Sequence, residues 1–104
     1  MTAATLEVPT NIIRTGLLDL PELVVYEHIN WGGAEWRLNL NAKYVGDAWN
    51  DRISSIVIVR GVWRFFLDSD FRRAAGDLGP GYYDIVEKYG IPNDAISSFQ
   101  CIQY

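Results

Sequence analysis

Two short segments hold the residues best able to do chemistry. Asn50-Asp51-Arg52-Ile53-Ser54-Ser55 recurs as Asn93-Asp94-Ala95-Ile96-Ser97-Ser98, with five of six positions identical. Each copy offers a carboxylate, Asp51 or Asp94, and three residues later a hydroxyl, Ser54 or Ser97. These are hard oxygen donors with no nitrogen or sulfur among them, a set suited to a hard divalent cation. The leading Asn50 and Asn93 are expected to hold their loops by side-chain to backbone hydrogen bonds, as Asx turns do, and Ser55 and Ser98 to do the same. A single copy would read as turn punctuation between strands. Two copies at matched places in a repeat argue for a site.

Each copy runs straight into a β-rich segment, so strands must position the donors. From Leu23 onward, runs rich in Val, Ile, Trp, Phe and Tyr alternate with Gly, Asn, Asp and Pro, the spacing of an all-β sandwich. The expected strands are Leu23–His28, Glu35–Leu40, Ser54–Val59, Val62–Leu67 and Ser97–Gln103. The repeat extends upstream, where Tyr26 and Trp31 recur as Phe66 and Phe71 with the same internal spacing. Each half then has an aromatic hairpin early and a polar loop late, about four strands in a Greek key, and two halves close one sandwich. The division is residues 1–22 as an N-terminal extension and 23–104 as the domain, with one Greek key over about 23–60 and the other over about 61–103. In the extension, Ile12, Ile13, Leu17, Leu18 and Leu20 suggest a short helix entered at Thr10 after Pro9.

Composition narrows the function. A chain of 104 residues suffices for one core. Its net charge of −4, with scattered Lys and Arg, argues against a nucleic-acid partner and suits a cation. No apolar run approaches the ~20 residues of a membrane span, and the N-terminus lacks the pattern of a signal peptide, so a cytoplasmic location is expected. Cys101 is the only cysteine and is expected to be a buried strand residue, although it could bridge two chains in an oxidising setting. His28 is the only histidine and reads as an exposed hairpin residue, which leaves zinc and nucleophilic catalysis without support. Gly76–Gly81 lacks the context of a phosphate loop and reads as a turn. Asp68, Ser69 and Asp70 read as a solvated turn. Trp31, Trp36, Trp49 and Trp63 could present a sugar-stacking face, but core filling is the plainer expectation.

With these residues in view, the chain resembles the βγ-crystallins, in particular their small microbial calcium-binding members. Tyr26-Glu27-His28-Ile29-Asn30-Trp31-Gly32-Gly33 is similar to the first hairpin of that family, and both Asn-Asp-x-x-Ser-Ser segments match its calcium motif at every position. Trp63–Phe66 followed by Asp77–Tyr82 resembles the second repeat of archaeal and bacterial members. The resemblance spans about Leu23 to Ile102. It implies two calcium ions, each drawing ligands from both halves, with backbone carbonyls of Glu27, Arg52, Leu67 and Ala95 completing the set given by Asp51, Ser54, Asp94 and Ser97. One departure stands out: Arg73 occupies the place of the second hairpin's glycine, where a left-handed backbone costs a side chain about 1 kcal/mol, so a reshaped or looser hairpin is expected.

The expected function is calcium binding that stiffens the domain in a structural or stress role, without enzymatic activity, in a monomer or weak homodimer. Low charge at each site implies dissociation constants of about 10⁻⁵ to 10⁻³ M. The competing reading is a protein-interaction module, inhibitor or toxin-like, on the same fold with incidental calcium. A carbohydrate-binding module is a weaker third.

Overall fold

The computed structural model describes residues 2–8 and 20–104. The described strands are β1 (Thr5–Glu7), β2 (Glu22–His28), β3 (Gly32–Leu38), β4 (Asn41–Tyr44), β5 (Ser55–Arg60), β6 (Val62–Asp68), β7 (Arg72–Leu78), β8 (Gly81–Tyr83) and β9 (Ser98–Gln103). One 3-10 turn, Val86–Tyr89, precedes the second polar loop. The helix expected from Asn11 lies outside the described residues.

The strands form two antiparallel sheets, one ordered β3-β2-β5-β8 and the other β1-β4-β9-β6-β7. The order carries an exchange. Three strands of the first half, β2, β3 and β5, stay together, while β4 crosses to lie beside β9; reciprocally, β8 leaves β6, β7 and β9 to lie beside β5. Each sheet is therefore completed by the other half. The segment Thr5–Glu7 adds an edge strand against β4, and the Thr2 amide donates to Asp47 Oδ2.

The alternating pattern of the strands explains the layers. Leu23 and Val25 from β2, Ile56 and Ile58 from β5, and Trp63 and Phe65 from β6 all point into one buried cluster. Phe99 of β9 is its aromatic centre, with Trp36, Trp63 and Phe65 each within 6.4 Å of its ring centroid. Between the inward residues of β6, Arg64 points outward and pairs with Asp77, its cross-strand neighbour on β7. Cys101 is buried as expected, and the buried Asn41 side chain accepts from its amide, fastening β4 to β9. The tryptophans divide: Trp63 is fully buried, Trp36 and Trp49 stack half-buried on the core, and Trp31 is exposed.

Three expectations need correction. β1, β4, β7 and β8 were absent from the sequence pattern. Gly76–Gly81 is not all turn, because Gly76–Leu78 belongs to β7 and Gly81 opens β8. The second hairpin is not reshaped: Arg73 adopts φ 57°, the left-handed conformation that Gly33 has at φ 74° in the first. Its guanidinium forms a two-point pair with Asp68 across the turn. At Gly33 a Cβ would stand 2.5 Å from the His28 ring, so that exposed side chain would have to move aside.

Candidate metal site

The two hairpins share one backbone conformation. Asn30 and Trp31 have φ 55° and 57°, and Asp70 and Phe71 have φ 59° and 57°, an uncommon region for bulky side chains. A serine stands against each hairpin. Ser55 Oγ donates to His28 O at 2.6 Å and accepts from the Trp31 amide at 2.9 Å. Ser98 Oγ likewise donates to Asp68 O at 2.5 Å and accepts from the Phe71 amide at 3.3 Å. Neighbouring chain completes each clamp, Asn30 N bonding to Asp84 O and Asp70 N to Lys43 O. Ser55 and Ser98 thus hold the facing hairpins, not their own loops. The Ser-Ser doublet was the available signal, but its target is distant in sequence.

The preceding serines face the polar loops. Ser54 N donates to Tyr26 O and Ser97 N to Phe66 O, so each loop is fixed against the hairpin of its own half. Their hydroxyls reach across to the other half. Ser54 Oγ donates to Asp94 Oδ1 at 2.8 Å, and Ser97 Oγ donates to Asn50 Oδ1 at 2.6 Å. Asp51 and Asp94 adopt φ 59° and 56°, a conformation that short polar residues tolerate best, which accounts for Asp in the second position of each motif. Both are exposed, while Ser54 and Ser97 are buried. Asn50 meets a serine of the other half, and Asn93 Oδ1 is buried with no hydrogen-bond partner. For these two oxygens the expected bond to the loop's own backbone is replaced by a cross-half bond in one case and none in the other.

Glu27, Asp51, Arg52, Ser54, Asn93 and Asp94 line one open depression. The Glu27 carboxylate lies 3.6 Å from the Arg52 guanidinium and accepts from the Ala34 amide. Glu27 and its counterpart Leu67 are both skipped by the ladder registers on either side, where a carbonyl is least committed to a strand. Leu67 and Ala95 are half-buried and Arg52 exposed, at the corresponding places of the two halves. His28 is exposed, its side chain 67% accessible. Among the described residues there is no cluster of three or more His, Cys, Asp or Glu side chains. What the depression gathers is the Ser54 hydroxyl, the Asn93 amide and the carboxylates of Asp51 and Asp94 beside Glu27 and Arg52; Leu67, Ala95 and Ser97 do not line it.

A family model for beta/gamma crystallin matches residues 22–102. The chain belongs to the beta/gamma-crystallin family. Among solved structures, this crystallin is 43% identical to a betagamma-crystallin from an archaeon, with a TM-score of 0.76 over 80% of its own length and 99% of the other chain. It is 44% identical to M-crystallin, solved in its calcium-free form, with a TM-score of 0.52 over 79% and 96%. A transition-metal-ion-binding betagamma-crystallin from Methanosaeta thermophila is 28% identical, with a TM-score of 0.68 over 77% and 99%.

Proposed function

We propose that this crystallin binds calcium through its two Asn-Asp-x-x-Ser-Ser loops and that the ions tie its two halves together. The observation that carries this reading is Ser54 of one motif hydrogen-bonded to Asp94 of the other, with the buried, unpartnered oxygen of Asn93 in the same depression. The donors are oxygen only, as calcium prefers, and an unpaired buried acceptor is a feature that an arriving ligand shell can resolve. Ser54, Asp94 and the Glu27 carbonyl would serve one ion, with Ser97, Asp51 and the Leu67 carbonyl serving the other. The Arg52 and Ala95 carbonyls would complete them. Kinship with M-crystallin, described in a calcium-free form, supports calcium as the ligand, and the transition-metal-ion-binding relative from Methanosaeta thermophila supports metal-ion binding more broadly. The role is binding and stiffening, not catalysis: the single histidine is exposed and the single cysteine buried.

Calorimetric titration of chelator-stripped protein tests it. Heat for two ions is expected, with one lost in Asp94→Ala and one in Asp51→Ala. No heat up to ~10 mM calcium, beyond the range of weak modules, would sink the reading.

A further inference from the structure

The two pseudo-equivalent clusters rest in different hydrogen-bond states. Their backbones agree: Val86 N donates to Ser54 O as Val45 N donates to Ser97 O, and Asp51 and Asp94 share one left-handed conformation. Their hydroxyls do not. Ser97 Oγ donates to the motif's first residue, Asn50, and not to the Asp51 carboxylate. Ser54 Oγ donates instead to the second residue, Asp94, and Asn93 Oδ1 is left buried and unpaired. Asn93 stands to Ser54 as Asn50 stands to Ser97, and both Asn93 and Ser54 line the same depression.

A serine oxygen ligates a cation through a lone pair, and its proton must then point away from the ion. While Ser54 donates to Asp94, that proton lies between the two groups a cation would bridge. It needs another acceptor, and the orphan oxygen of Asn93 is the one at hand. We propose that Asn93 is a positioning residue. When a cation bridges Ser54 and Asp94, the Ser54 hydroxyl rotates to donate to Asn93 Oδ1, reproducing the arrangement that Ser97 and Asn50 already hold. The Ser97 cluster is preset for an ion, whereas the Ser54 cluster is switched by it. The inference rests on the calcium reading above.

The experiment compares Asn93→Ala and Asn50→Ala by calcium titration and by thermal melts in chelator. Without calcium, Asn93→Ala should melt at or above the temperature of the unsubstituted protein, because it removes an unpaired acceptor. Asn50→Ala should melt lower, since it strips Ser97 of its partner. With calcium, Asn93→Ala should weaken one site by about fivefold, the worth of one ordinary hydrogen bond, and leave the other unchanged. Asn93→Asp, which keeps an acceptor oxygen, should restore it. Unchanged affinity in Asn93→Ala, or a chelator melt lowered as far as in Asn50→Ala, would overturn the switch while leaving calcium binding intact. Failure of the unsubstituted protein to bind would overturn the calcium reading itself, and the switch with it.

Discussion

Arg73 illustrates how one residue can break a sequence rule while the conformation behind the rule survives. Its backbone stays in the left-handed region, and the pairing of its guanidinium with Asp68 helps to hold the turn. Replacing the side chain separates the two effects. Arg73→Gly should be more stable than Arg73→Ala by about 1 kcal/mol, because only alanine keeps the steric cost of that backbone. Equal urea midpoints would mean that residue 73 relaxes out of the left-handed region in solution. The same pair has a pH signature. Arg73 holds the Asp68 carboxyl below its usual value, as Arg64 does for Asp77 and Lys88 for Asp84. A lowered carboxyl contributes stability above its unfolded pKa, near 4, and loses it as pH falls through the folded value. Melting temperature should therefore be level from neutrality to about pH 5 and decline below about pH 4, modestly because these pairs are exposed. The decline should be shallower in Asp68→Asn and Asp77→Asn, and unaltered acid slopes would remove these pairs from the account.

Among the elements, the paired hairpins and their serine clamps carry the site. Ser55 is fully buried and satisfies a hairpin carbonyl and the amide of a strained Trp31, so Ser55→Ala leaves both short of a partner. A cost of about 2–3 kcal/mol is expected in urea unfolding, with calcium affinity also reduced because Glu27 belongs to that hairpin. Loss of stability with full affinity would show that the hairpin does not present a ligand. Much of this level was legible in the sequence, since the hairpin aromatics, the doubled motif and five strands stand out in residue type. The remaining strands, among them β1 in the N-terminal extension, have no such signature. β7, Arg72–Leu78, is charged and small-residued on an exposed surface. β8 has three residues, one of them the exposed Tyr82, and β4 buries a polar Asn41 where the pattern would want an apolar residue. These three are strands because neighbours pair with them, which is tertiary information. The partnership of Ser54 with Asp94, 40 positions apart, is hidden for the same reason.

At the scale of the whole molecule, the exchange of β4 and β8 decides how the protein can come apart. Neither half closes a sheet alone, because the four-stranded sheet needs β8 from the second half and the five-stranded sheet needs β4 from the first. The core does not divide either: Phe99 of the second half packs on Trp36 of the first and on Trp63 and Phe65 of its own. An ion bridging the loops would add a third tie at the end of the sandwich where both motifs lie. Unfolding should therefore be a single cooperative event, and binding at either loop should protect both halves equally. Calcium at about 100 times the dissociation constant would add about 2.7 kcal/mol per independent site. Hydrogen exchange read residue by residue supplies the check. Core amides of β2 and β5 should open with the same free energy as those of β6 and β9, and calcium should raise all four together. If calcium slowed exchange in one half only, the strands would still be exchanged but the halves would be energetically separable, and an ion would be a local brace, not a clamp.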